Sequence, residues 1–294
     1  MDELEKRKFF ALLKNRGANP DTIIPILEAN PQFAYGSLSE IKIDFINVWP
    51  TPERLESGSY GRTALHIAVA QDLLTHIIRA IRDANPDAML ALDDRGNTPL
   101  HLIYHGTPIE TIRLFPIDRI APIQNQQGHA LLHLAAYMDF PTQLITEIIA
   151  ASPVMAQTPD IAGRLPLHLL LDSRYMPRLS QVKPIYDAFP DAVRMRNTAG
   201  NLPLVMYIER QYYAGTRADI LKVLLRGYPS AIVYLNEELR HILNLRGRDD
   251  PELGVIIAHS QGIADRLRAT RAAIHTQRSA RRHKTRRASR KHRK

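Results

Sequence analysis

The sequence predicts an all-α solenoid of about five to seven helix-turn-helix units, closed by a C-terminal helix and followed by a disordered basic tail. Three observations lead there. A glycine-led segment recurs along the chain, with its glycines at 61, 96, 128, 163 and 200. A proline-led segment recurs between and after them, at Pro86, Pro153, Pro190 and Pro229. Finally, 45% of the residues are apolar, enough for a sizeable core, yet no run approaches the ~18 consecutive apolar residues of a membrane span.

The glycine-led segments align directly. They read Gly61-Arg62-Thr63-Ala64-Leu65-His66, Gly96-Asn97-Thr98-Pro99-Leu100-His101, Gly128-His129-Ala130-Leu131-Leu132-His133 and Gly163-Arg164-Leu165-Pro166-Leu167-His168. A fifth, Gly200-Asn201-Leu202-Pro203-Leu204-Val205, has valine for the histidine. Glycine after a polar pair suits a turn at positive φ. Thr98 is placed to cap the next helix, with Pro99 at the first helical position, where a missing N–H costs nothing. The glycine spacings of 35, 32, 35 and 37 residues fall in the range of repeat arrays.

This pattern resembles the ankyrin repeat, whose period is ~33 residues and whose signature is Thr-Pro-Leu-His. The resemblance covers residues 61 to 235, within a repeat region placed at 59–245. It implies two short helices per unit, the second ones near Leu73–Ile81, Ile109–Phe115, Leu144–Ala151, Val182–Phe189 and Ile220–Leu225. None is long enough to stand alone in water, so neighbours must stack. Where the ankyrin family stops its second helix with glycine, this chain uses proline, which forces the residue before it out of helical geometry.

The same stop at Pro31 makes residues 1–36 a degenerate N-terminal repeat, with helices near 2–16 and 21–29. Residues 37–58 then form an insertion holding a strand-like Ile41–Phe45 and the single tryptophan, Trp49, expected to plug the first repeat, with a binding hot spot as the alternative. Phe115-Pro116-Ile117 interrupts the second helix of the next unit, which should be short or distorted. Extra residues at 173–180 and 212–217 should bulge from the following units. Asp250-Pro251-Glu252 reads as a helix start, opening a C-terminal helix over 249–277 in which Gly262 breaks the pattern.

The net charge of +9 is unevenly spread. Asp265 is the last acid; residues 266–294 hold thirteen Lys or Arg, leaving 26 bases against 30 acids before them. Residues 278–294 self-repel and contain no large apolar side chain, so disorder is expected. Arg281, Arg282, Lys284, Arg286, Arg287, Arg290, Lys291, Arg293 and Lys294 form a targeting candidate, read by an import receptor or, in a bacterial protein, as a secretion signal. Equally, they would contact the phosphates of nucleic acid or anionic lipid. Ser289 after Arg286-Arg287 resembles a basophilic kinase site. With acids at its start, no apolar span and no cysteine, the protein is expected inside cells, cytoplasmic or nuclear. For a bacterial effector that would be the host cell.

The chemistry that the sequence suggests is recognition. Absence of cysteine excludes thiol catalysis and thiolate zinc sites, and no phosphate-binding, zinc-protease or nucleophile-elbow motif occurs. No catalytic residue, cofactor or metal is therefore expected, and the chain is expected not to be an enzyme. His66, His101, His133 and His168 fall one per repeat, and the ankyrin resemblance implies that each hydrogen-bonds to the backbone of the neighbouring turn.

The resemblance further implies a concave partner-binding face. By register it comprises Arg62, Asp94, Arg95, Asn97, Tyr104, His105, Gln127, His129, Tyr137, Met138, Arg164, Asp172, Glu209 and Arg210, with Tyr207, Tyr212 and Tyr213 nearby. A monomer that captures a protein of unknown identity is the leading expectation. Nucleic-acid association through the tail, and a bacterial effector that hijacks a host protein, are the alternatives.

Overall fold

The computed structural model describes residues 9, 12, 20–29, 61–210 and 216–291, with only the backbone course at 20, 21 and 275–291. The 37–58 insertion, its strand-like segment, Trp49, most of the 2–16 helix, Tyr212 and Tyr213 lie outside the described residues. Every described element is helical, and among the described residues no helix is long and apolar enough to cross a membrane.

The chain divides into two compact units. The first is Met1–Ala192 with Asn197–Ala199, the second Val193–Arg196 with Gly200–Lys294. In the first lie α1 (Pro20–Ala29), α2 (Ala64–Ala70), α3 (Thr75–Ala84), α4 (Ile109–Ile112), α5 (Ile117–Ile120), α6 (Leu131–Tyr137), α7 (Thr142–Ala151), α8 (Pro166–Leu171) and α9 (Leu179–Ala188). A 3₁₀ turn at Pro99–Leu102 takes the place of a first helix before α4. First helices touch first helices: α2 packs on Pro99–Leu102, and α6 on α8. Second helices likewise touch second helices, α1 against α3 and α7 against α9. The core runs between these rows, with Leu65, Ile77, Leu100, Leu132, Ile145, Leu167 and Ile185 inaccessible to solvent.

The second helices end by a shared device. Asn85, Ser152, Phe189 and Tyr228 have φ/ψ of −144/83, −151/81, −149/84 and −145/79, each just before a proline that excludes the helical region. The chain does not leave helical geometry for long, however. Each proline opens a 3₁₀ turn, at Pro86–Leu90, Pro153–Ala156, Pro190–Arg194 and Pro229–Tyr234, where its fixed φ suits the first position. Around Pro116 the expected distortion takes the form of two one-turn helices, α4 and α5.

The second unit holds α10 (Pro203–Arg210), α11 (Ala218–Gly227), α12 (Glu237–Asp249) and α13 (Pro251–Lys291). Asn236 caps α12 by accepting the Leu239 N–H at 2.8 Å, and Asp250 caps α13 through Leu253 N–H at 3.0 Å. Lys222 of α11 reaches Asp250 at 2.9 Å and Glu252 at 2.6 Å, clamping the start of α13. That helix does not stop at residue 277: it passes Gly262 without a break, and its backbone stays helical through Lys291. Arg, Ala and Lys, which dominate this stretch, rank among the best helix formers, and their intrinsic preference opposes the charge repulsion that the sequence reading expected to prevail.

Candidate functional site

The glycine turns build one face of the first unit. Gly61, Gly96, Gly128 and Gly163 all adopt positive φ, +63° to +76°. Three residues before the last three of them stands an Asx side chain that organises the turn. Asp93 Oδ1 accepts the N–H groups of Arg95 and Asn97 at 2.9 and 2.8 Å. Asn125 Oδ1 accepts those of Gln127 and His129, both at 3.0 Å, and Asp160 Oδ1 those of Ala162 and Arg164 at 2.9 and 2.8 Å. Successive turns are then tied together by main-chain bonds: Gln126 N–H to Arg95 O (2.9 Å), Ile161 N–H to Gln127 O (3.1 Å) and Thr198 N–H to Ala162 O (2.9 Å).

The four histidines lock each turn to its first helix. His66 Nδ1 accepts the Thr63 N–H at 3.2 Å and His101 Nδ1 the Thr98 N–H at 3.3 Å. His133 and His168 do the same with Ala130 and Leu165, at 3.1 and 3.2 Å. An accepting Nδ1 leaves the proton on Nε2, and in the first two it points across to the next turn: His66 to Asn97 O at 2.9 Å, His101 to His129 O at 3.2 Å. Burial pushes His66, His101 and His133 down to about 4, so all three are neutral imidazoles near pH 7.

The side chains predicted on the recognition face fall into four groups. Asn97 and Met138 are buried and are corrected from exposed contacts to structural ones. The Asn97 amide is spent on both Asp93 oxygens at 3.1 and 3.0 Å, and Met138 sits under His105, whose Nδ1 meets its carbonyl at 3.1 Å. Tyr207, grouped with the exposed tyrosines by sequence, is buried as well, its hydroxyl accepting the Arg217 N–H at 2.8 Å. Asp94, His105 and Gln127 are exposed, His105 being stacked on Tyr175 with centroids 4.2 Å apart. Glu209 and Arg210 are exposed too, on the second unit. Arg62, Arg95 and Tyr104 are half-buried, Arg62 lying 3.4 Å from Asp93.

The remaining four converge, although His129, expected to be exposed, is buried as well. His129, Tyr137, Arg164 and Asp172, with His133, Leu134 and Leu169, line a pocket of about 80 Å³ between the third and fourth turn–helix segments. Behind it the Asp160 carboxylate, whose side chain has no solvent exposure, receives His129 Nε2 at 3.4 Å and Arg164 Nε at 2.8 Å. Burial alone would raise this carboxyl, but its bonds to His129 and to the Arg164 backbone, with the Arg164 charge, overcome that and hold it at about 2. The pocket thus has a fixed, charge-paired floor, and Tyr137 and Asp172 at half-buried positions. Asp160 escaped the sequence reading, although its place three residues before Gly163 matches Asp93 and Asn125. Among the described residues, no cluster of three or more His, Asp or Glu could hold a metal ion. Side chains of the targeting candidates 281–291 and of Ser289, with Arg293 and Lys294 entirely, lie outside the described residues.

No family model matches the chain. Among solved structures it is similar to one chain of a complex described as a predatory endopeptidase from Bdellovibrio bacteriovorus with an immunity protein, at 15% identity and a TM-score of 0.48, over 76% of this chain and 98% of that one. These findings correct two expectations. Membership in the ankyrin family, read from the Thr-Pro-Leu-His segments, is not upheld by any family model. Those segments specify a turn and a cap, a local requirement, while the second helices end in proline-led 3₁₀ turns that depart from the family's pattern. The expectation that the chain is not an enzyme is withdrawn as well: the similar complex is described as containing an endopeptidase, and nothing about activity is drawn from that description in either direction. A likeness at this score carries no argument about what the present chain does.

Proposed function

We propose that the first unit is a stacked helix-pair module that receives a protein partner on the face formed by its glycine turns and first helices. The observation that carries this reading is the pocket at which His129, Tyr137, Arg164 and Asp172 meet. At about 80 Å³ it is well below the ~300–1,000 Å³ typical of small-molecule sites. It is in proportion to one anchoring side chain of a partner. Tyrosine and arginine at its rim are of the type enriched where binding energy concentrates. Ile161, next in the chain to Asp160, is 72% exposed on its turn and bonded through its N–H to the Gln127 carbonyl. An apolar side chain held out on a tied-down turn offers contact area at little entropic cost.

A photo-crosslinking amino acid placed at Tyr137, and separately at the exposed Thr146 on α7, tests the reading in the full chain. A discrete crosslinked protein at position 137 that is absent at 146, and that Asp172→Arg abolishes without lowering the melting temperature, is the expected result. Equal crosslinking at both positions would remove the face from consideration.

A further inference from the structure

The second unit carries a polar cluster that the partner-binding face does not use. Tyr228 and Tyr234 bracket the 3₁₀ turn Pro229–Tyr234, close enough that each shifts the other's hydroxyl, Tyr228 upward and Tyr234 downward. The Arg196 guanidinium lies over the Tyr234 ring, 4.0 Å from its centroid, and that of Arg194 lies 6.0 Å from the Tyr228 centroid. Helix α13 packs against this turn, and Arg271 on it helps to hold the Tyr234 hydroxyl below its usual value, after the larger effects of Tyr228 and Arg196. Two stretches some seventy-five residues apart in the chain therefore deliver guanidiniums to one tyrosine. Tyr234 is 38% exposed and Arg194, Arg196 and Arg271 are all exposed.

Among the described residues, carboxylates do not pair with the two guanidiniums at Tyr234. Among the described residues neither Arg196 nor Arg271 forms an ion pair, whereas Arg268, one turn earlier, holds Asp265 at 3.3 Å. Asp265 is the last acid of the chain. From residue 266 to Lys291, α13 continues for about 39 Å at 1.5 Å per residue and carries eleven Lys or Arg. The Tyr–Arg cluster stands near the start of that stretch. Like charges held together repel, and a bound anion relieves the repulsion. A single phosphate would relieve it at one point only, but a polyanion matches its whole length. Guanidinium forks and tyrosine hydroxyls are the groups that position proteins on phosphate oxygens.

We propose that Arg196, Arg271 and Tyr234 form a phosphate-contacting site for the backbone of a nucleic acid duplex, which then follows α13 toward Lys291. This site is independent of the protein-binding reading and lies on the other unit.

The test is fluorescence anisotropy of the full chain with a labelled 20-base-pair duplex, made once as DNA and once as RNA, between 50 and 200 mM salt. Each phosphate contact adds about 0.9 to the slope of log affinity against log salt for duplex DNA. Replacing both arginines (Arg196→Ala, Arg271→Ala) is expected to lower that slope by about 1.8 and weaken low-salt binding about tenfold or more. The double Arg→Lys variant should keep the slope, and Tyr234→Phe should weaken binding without changing it. Should the double alanine variant fail to fold, Arg271→Glu at its exposed helical position must reduce the slope by at least one contact. An unchanged slope in a folded variant overturns the site. So does binding to phosphatidylserine vesicles with none to either duplex.

Discussion

His66 Nε2 lies 2.9 Å from the main-chain oxygen of Asn97, thirty-one residues further along the chain. Its other nitrogen accepts the Thr63 N–H, so the ring spans two consecutive turns and does so only as a neutral imidazole. Protonation would set a positive Nδ1–H against an N–H donor. His101 makes the same bridge to His129 O.

Stability should accordingly depend on pH in a defined window. Burial depresses His66, His101 and His133 to about 4 in the fold, against about 6.5 in the unfolded chain. Between those values the unfolded state binds more protons, so the contribution is fully present above about pH 6.5 and is lost as pH falls toward 4. Each histidine is worth at most roughly 3 kcal/mol across that window. Asp160, held at about 2, adds a separate loss only below about pH 4. Urea midpoints measured from pH 8 to 4 should be flat at first and then fall steeply below 6.5. A midpoint unchanged down to pH 5 would show that the histidines are not buried neutral.

Removing one bridge should cost more than removing one ordinary hydrogen bond. In a His101→Leu variant the Thr98 N–H and the carbonyls of Ile123 and His129 lose a shared partner. Buried groups left unsatisfied cost about 1–3 kcal/mol each, and the carbonyls retain a second lone pair, so a total of about 3 kcal/mol is expected. Chemical denaturation at pH 7.5 measures it. A loss below about 1 kcal/mol would mean that the stacked turns hold without the ring.

Much of this scaffold was legible because it depends on local backbone rules. Glycines 32 to 37 residues apart marked the turns, Pro99 marked a helix start, and Pro86, Pro153, Pro190 and Pro229 marked helix ends. What followed each proline was not legible, since a fixed φ is equally compatible with an extended exit and with the 3₁₀ turn that forms. Helix α12 escaped notice because only Leu239 and Leu243 of its thirteen residues are buried. Register alone placed Tyr137 and Met138 side by side, yet one lines the pocket and the other faces the core. The pocket itself joins residues from consecutive turns around Asp160, a buried acid that periodicity does not distinguish from a surface one. The Arg196–Tyr234–Arg271 cluster spans too much sequence for any local pattern to show it.

The glycine turns make a paired prediction. A Cβ at Gly128 would meet the Asp160 Cα at 2.8 Å, at φ +76°, so both backbone strain and a clash with an unyielding main chain oppose alanine there. At Gly200 φ is +83° but nothing lies within 4 Å, leaving strain alone, about 1–2 kcal/mol. Gly128→Ala should therefore lower the melting temperature distinctly more than Gly200→Ala. Equal effects would mean that contact between successive turns contributes nothing to the choice of glycine.

A second pair lies on one helix and carries opposite signs. Gly254, in the first turn of α13, has no room for a side chain: a Cβ would lie 2.7 Å from the Gly247 carbonyl oxygen of α12. At Gly247 a Cβ would meet the movable end of Ile257, Cδ1 at 2.8 Å, and the Gly254 Cα at 3.3 Å. The two helices cross at a glycine pair, so Gly254→Ala must push them apart and lose packing around Leu253 and Ile257, both buried. Two turns later Gly262 has only the end of the Arg266 side chain nearby, at 3.8 Å. Alanine there relieves a helix-interior glycine and should stabilise the second unit by about 1 kcal/mol. Thermal unfolding of the two single variants should shift in opposite directions; a stabilising Gly254→Ala would show that α12 and α13 do not cross where the glycines place them.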